Sequence, residues 1–112
     1  MKRTNRIAQN VLERAKEVAP SKWNYTQGTY QTNFNGFRIC FREDQDEVYY
    51  SMISTFYLDV YEGKRKLIST PEEKSGEVRD LYLSVVKANR QSEQRAKARE
   101  QSASLSRLEK AL

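Results

Sequence analysis

Histidine is absent from all 112 residues. That excludes Ser-His-Asp and Cys-His activation of a nucleophile and removes the commonest nitrogen ligand for zinc. A single cysteine, Cys40, excludes an intramolecular disulfide and, with no histidine beside it, a structural zinc site. Carboxylate, lysine or tyrosine chemistry and Mg²⁺ binding stay open, so the expectation is a protein that is not an enzyme and carries no cofactor. There is no apolar run long enough to cross a bilayer. The opening MKRTNRIAQNVLERAKEVAP is basic at its start, but Gln9, Asn10, Glu13, Arg14, Lys16 and Glu17 interrupt any apolar stretch, so it does not read as a secretory leader. A cytoplasmic protein that avoids membranes is expected, in keeping with one unpaired cysteine. No P-loop, GxGxxG, helix-turn-helix or RNP motif occurs.

Charge is abundant. Charged residues make up 31% and apolar residues 38%, with seven tyrosines and four phenylalanines. A chain of this length has room for one domain, and its apolar minority must be concentrated for a core to form. The net charge of +5 is uneven: residues 1 to 22 carry +4, residues 23 to 70 carry −1, residues 71 to 86 carry −2 and residues 87 to 112 carry +4. Basic ends attract an anionic partner, whether nucleic acid, nucleotide or acidic protein surface. Basic residues late in a helix also complement its dipole with no partner at all.

Residues 5 to 19 have the spacing of an amphipathic helix, with Ile7, Val11, Ala15 and Val18 on one stripe and Ala8, Leu12 and Ala19 beside it; Pro20 ends it. A loop or short edge strand follows over Ser21 to Gly28. TYQTNFNGFRICFRE is a hairpin signal, because Asn35-Gly36 accepts the positive φ angles of a type I′ turn. Phe37, Ile39 and Phe41 alternate with Arg38, Cys40 and Arg42. EDQDE reads as a turn, and Val48 to Tyr61 as strand with a bend near Ser54-Thr55 or a tight turn there, since fourteen residues are long for one strand. EGKR turns the chain into a last short strand over Lys66 to Ser69. Thr70-Pro71-Glu72-Glu73 has the form of an N-cap, a first-turn proline and a capping-box glutamate; in the alternative, one turn precedes a main helix capped by Ser75. The fold class is therefore α+β, with an N-terminal helix, an antiparallel meander of four to five strands and a long C-terminal helix that Ser102-Ala103-Ser104 could break.

The last helix carries the functional question. At about 100° per residue, Leu81, Tyr82 and Val85 fall on the stripe of Val78, and the same stripe continues as Asn89, Ser92, Ala96 and Ala103. Leu105, Leu108 and Leu112 lie roughly 120 to 180° away, so a straight helix cannot bring them to the same core. Either the helix breaks and folds back, or Ala98, Leu105, Leu108 and Leu112 form a seam for a homo-oligomer, most simply a dimer, or residues 87 to 112 are a solvated tail.

Glu43, Asp44, Asp46 and Glu47 are a dense acidic cluster without the glycine and distal glutamate of an EF-hand loop. Lys64, Arg65 and Lys66 form a basic hairpin tip. Trp23, Tyr25, Tyr30, Tyr49, Tyr50, Tyr57 and Tyr61 are more aromatics than a small core encloses, and Arg38 and Arg42 stand on the wet side of their strand. Aromatic faces with arginine suit base stacking, phosphate pairing or a protein hot spot; they also suit half-buried packing against helices. The expected ligand or partner residues are Trp23, Arg38, Arg42, Tyr57, Tyr61, Asn89, Arg90 and Arg95. One arrangement sets a nucleotide in a recess between the sheet and the small-residue face of the last helix. The overall expectation is a small basic binding protein, a stoichiometric inhibitor or sequestering protein of the scale phages and mobile elements encode. Its target would be a host protein effector that handles nucleic acid, or an anionic nucleotide or nucleic-acid ligand. A structural adaptor built on the helix seam and a direct nucleic-acid binder are the alternatives.

Overall fold

A computed structural model describes residues 3–112. Helix α1 (Arg3–Glu17) leads into a 3₁₀ turn at Pro20–Lys22 and then five strands: β1 (Asn24–Thr26), β2 (Thr29–Phe34), β3 (Phe37–Val48), β4 (Ser51–Glu62) and β5 (Arg65–Ser69). A second 3₁₀ turn, Glu72–Lys74, precedes α2 (Ser75–Ala111), an unbroken helix of 37 residues. The strands form an antiparallel meander in the order β1-β2-β3-β4-β5. The fold is α+β, as expected, with β1 the short edge strand after Pro20.

Strand alternation decides where the core lies. Ile39 and Phe41 on β3 pair with Val60 and Leu58 on β4, and all four are buried. Both helices pack on that face. Leu12 and Ala15 come from α1, and Val78 and Val85 from α2. Tyr82 sits at the centre, its ring 6.4 Å from Tyr30, 5.3 Å from Phe41 and 5.8 Å from Phe56, so the first turns of α2 lie across β2, β3 and β4 together. Burying side chains the size of Leu12 and Leu58 stabilises by about 2 kcal/mol each. The buried line of α1 runs through Ala8, Leu12 and Ala15, while Ile7 remains 40% exposed.

The Asn35-Gly36 turn is as expected, with φ of 48° and 87°. The next turn is not. EDQDE lies inside β3 rather than in a turn, β4 runs straight through Ser54-Thr55 without a bend, and the reversal falls at Tyr49-Tyr50, with φ of 50° and 65°. Val48 pairs with Ser51 across it. The two 12-residue strands outrun their neighbours: β2 pairs only as far as Cys40 and β5 only from Asp59, so residues 43 to 55 form a two-stranded ribbon standing clear of the sheet. Charges are tolerated along it because both of its faces are wet.

The start of α2 follows the second of the two sequence readings in part. One 3₁₀ turn precedes the helix, which begins at Ser75, but neither Thr70 nor Ser75 caps it with a side chain. Their hydroxyls serve the sheet instead. Thr70 Oγ1 accepts from the Leu58 amide at 2.9 Å, and Ser75 Oγ accepts from the Phe56 amide at 2.9 Å. No helix among the described residues is long and apolar enough to cross a membrane.

Candidate functional site

Among the described residues the second face of the sheet carries no helix, and β3 and β4 furnish it with a ladder of paired side chains. Arg38 stands opposite Tyr61, its guanidinium carbon 4.7 Å from the ring centroid; Arg42 stands opposite Tyr57 at 4.3 Å. Such cation–π contacts contribute about 0.5–1 kcal/mol each where water has access. Between the two rungs lies Asp59, 1% exposed. Arg42 Nε donates to Asp59 Oδ2 at 2.8 Å and Nη2 to Oδ1 at 3.4 Å, while Nη1 pairs with Asp44. Ser69 Oγ also donates to Asp59 Oδ1 at 2.6 Å. The hydrogen bond to Asp59 holds Arg42 firmly protonated. Its charge is answered twice within the chain, by Asp59 and Asp44, so it has little left for an outside anion. Arg38 differs: its Nε is buried with no hydrogen-bond partner. Cys40 lies between the rungs, its thiol pKa raised first by burial and then by the charge of Asp59.

The eight residues expected to bind a ligand fall in three places. Arg38, Arg42, Tyr57 and Tyr61 form the open-face ladder. Trp23 is core, 2% exposed on the helix side, with its ring 4.8 Å from Phe41. Asn89 is a strut: its Nδ2 donates to the Pro20 carbonyl at 3.2 Å and to the Val85 carbonyl at 2.8 Å, fastening α2 to the 3₁₀ turn after α1. Beyond that strut every residue from Arg90 to Leu112 is exposed. Arg90 and Arg95 therefore project on a free helix with Ala98, Leu105, Leu108 and Leu112. The recess imagined between sheet and small-residue face does not form, because Ser92 and Ala96 lie past the last packed turn. Ala88, Gln91, Ser92, Arg95, Ala96 and Arg99 bound only an open dip along one helix face.

Charge separates the two projecting elements. Residues 87 to 112 carry seven Lys/Arg against three Glu. Among the described residues none of those seven cations is in an ion pair. Residues 43 to 55 carry four acidic residues and no Lys or Arg. The acidic groups do not converge on a cation site. Glu43 and Glu47 take one face of the ribbon and Asp44 and Asp46 the other, and no group of three or more potential metal ligands occurs among the described residues.

Sequence reasoning missed the ribbon. The apolar alternation of Phe37, Ile39 and Phe41 ends at Arg42, and the uniformly polar Glu43 to Glu47 carries no period-2 signal of a strand. Against protein-family models, curated proteins and solved structures, the chain finds no match in any of the three comparisons.

Proposed function

We propose that the protein is a small non-enzymatic binding protein that occupies or sequesters a nucleic-acid-related target, and that the projecting half of α2 is its anion-binding element. The observation that carries this reading is the contrast between two sets of cations. Arg42 on the sheet is already committed to Asp59 and Asp44, whereas the seven Lys/Arg of residues 87 to 112 have no acidic partner among the described residues and stand in water. Free cations along an extended helix suit a polyanion touched along one side. A single nucleotide gains affinity from enclosure on several sides, which one bare helix does not offer.

The experiment is a fluorescence-anisotropy titration of labelled duplex DNA and single-stranded RNA across a salt series. If about three phosphates are neutralised, log K falls linearly with log salt with a slope of roughly −3 on duplex. No binding at low salt to either polymer would sink the nucleic-acid reading. A second reading, in which the target is a protein effector that handles nucleic acid, is supported by the ribbon tip, where Tyr49 and Tyr50 are fully exposed beside acidic residues. Replacing them by Asn and Gly suits the turn geometry and removes both rings. A protein retained from lysate by the native chain and lost by Tyr49→Asn/Tyr50→Gly supports this second reading; identical retention refutes it.

A further inference from the structure

Neither outer edge of the ribbon has a neighbouring strand among the described residues, and one of the two edges is free of charge. Leu58 and Thr70 exchange backbone and side-chain hydrogen bonds, the Leu58 amide donating to Thr70 Oγ1 at 2.9 Å and the Thr70 amide to the Leu58 carbonyl at 3.0 Å. The Phe56 amide is taken by Ser75 Oγ. The backbone groups of Leu58 and Phe56 thus point away from β3, and by the two-residue period of a strand those of Ser54 and Met52 do so too. β5 pairs no further along β4 than Asp59. The stretch Ser51 to Thr55 therefore presents an open edge with no charged side chain, with Met52 62% and Ile53 50% exposed. The edge of β3 alongside is studded with Glu43, Asp44, Asp46 and Glu47, the kind of charge that keeps other strands away.

We propose that this β4 edge pairs antiparallel with the same edge of a second copy of the chain. The sequence is self-complementary about Ile53. Met52 faces Ser54 of the second copy and Ser54 faces Met52 of the second copy, each pair exchanging both amide–carbonyl bonds. The two Ile53 side chains meet on the two-fold axis at the closer, non-hydrogen-bonded spacing. Charge does not oppose this pairing. In the resulting four-stranded ribbon both acidic strands are outermost, three strand spacings or roughly 14 Å apart, beyond the Debye length of about 8 Å at physiological salt. The leucine seam of α2 is the competing self-contact; its segment carries a net +4 on the same helix as the leucines.

Sedimentation equilibrium of the full chain tests the pairing. A two-strand contact falls in the small, weak class of interfaces, so the dimer is sought at high protein concentration, about 100 μM. Ser54→Pro removes an outward amide without touching the ladder to β3, and Ile53→Lys sets two charges on the axis. Each should weaken the dimer about tenfold or more, while Leu105→Glu/Leu108→Glu should leave it intact. A native chain that is monomeric at that concentration overturns the proposal. So does a dimer that survives both ribbon variants and dissociates in the leucine variant, which would assign the contact to the helix. Hydrogen exchange on the native chain gives a readout free of mutation: protection of the Met52 and Ser54 amides should rise with protein concentration, and concentration-independent exchange there overturns the pairing as well.

Discussion

Replacing Asp59 by Asn leaves the shape of the open face unchanged and removes the charge at its centre. The carboxylate is 1% exposed, takes both Arg42 Nε and Nη2, and accepts from Ser69. Asn keeps one acceptor oxygen and turns an amide nitrogen toward the guanidinium. Hydrogen bonds to charged groups contribute about 1.5–3 kcal/mol each, and breaking a buried pair costs about 3–5 kcal/mol. The Arg42 side chain is a third exposed and retains Asp44 and the Tyr57 ring, so water and those neighbours recover part of the loss. The expected destabilisation is about 2–3 kcal/mol, read as a lowered midpoint with unchanged slope in urea, or roughly 10 °C in Tm for a domain near 110 residues. Arg42→Gln should cost at least as much, because it leaves Asp59 buried and unanswered. In the double variant the two losses should be far from additive, with a coupling of about 1–3 kcal/mol. A change within about 0.5 kcal/mol of native for Asp59→Asn would refute the claim that Arg42 is held by this carboxylate, and would return Arg42 to the list of cations free for a ligand.

Trp23→Ala should destabilise by about 3–5 kcal/mol in chemical unfolding and leave anion affinity unchanged in the folded fraction; an affinity loss without a stability loss would place the indole back in a site. Burial raises the Cys40 thiol pKa above its ordinary value of 9.0, so the folded state holds that proton longer than the unfolded chain. The thiol's contribution is full below the unfolded pKa and is lost as pH rises through the window above it. Native stability should thus fall more steeply above about pH 9 than that of Cys40→Ala in paired urea titrations, and parallel pH curves would contradict the assignment.

Much of the architecture is legible without coordinates because local chemistry and tertiary packing agree there. Asn35-Gly36 accepts positive φ cheaply and turns where it should, Pro20 ends α1, and the alternation of Phe37, Ile39 and Phe41 finds the core face. Legibility fails where tertiary context overrides a local preference. Two tyrosines take the left-handed positions of a turn that favours Asn and Gly, at a cost of order 1–2 kcal/mol per residue, because the long β3–β4 register places the reversal there. Acidic residues that read as a turn are strand because the ribbon is wet on both faces. Thr70 and Ser75 have the look of helix caps, yet their hydroxyls are claimed by β4 amides with no strand beside them. Trp23 reads as a ligand platform in isolation, and only the packing of Phe41 against it reveals a core residue. The open-face pairs of Arg38 with Tyr61 and Arg42 with Tyr57 were legible as residue types on one face; the buried Asp59 that occupies Arg42 was not, because its position depends on register with β3 and β5.

The claim that matters most is that binding belongs to the free cations of α2 and not to basic residues in general. Charge reversal separates the two. Arg90→Glu/Arg95→Glu/Arg99→Glu keeps good helix formers in every position and should leave Tm unchanged, since all three side chains are exposed. In the anisotropy assay at low salt it should weaken DNA or RNA binding about 100-fold and flatten the salt slope by roughly 2–3. Lys64→Glu/Arg65→Glu, at the basic β4–β5 turn, is the control and should change affinity only a few-fold. Loss of binding confined to the α2 variant is the predicted result. Equal losses in both, or full binding by the α2 variant, would contradict the account.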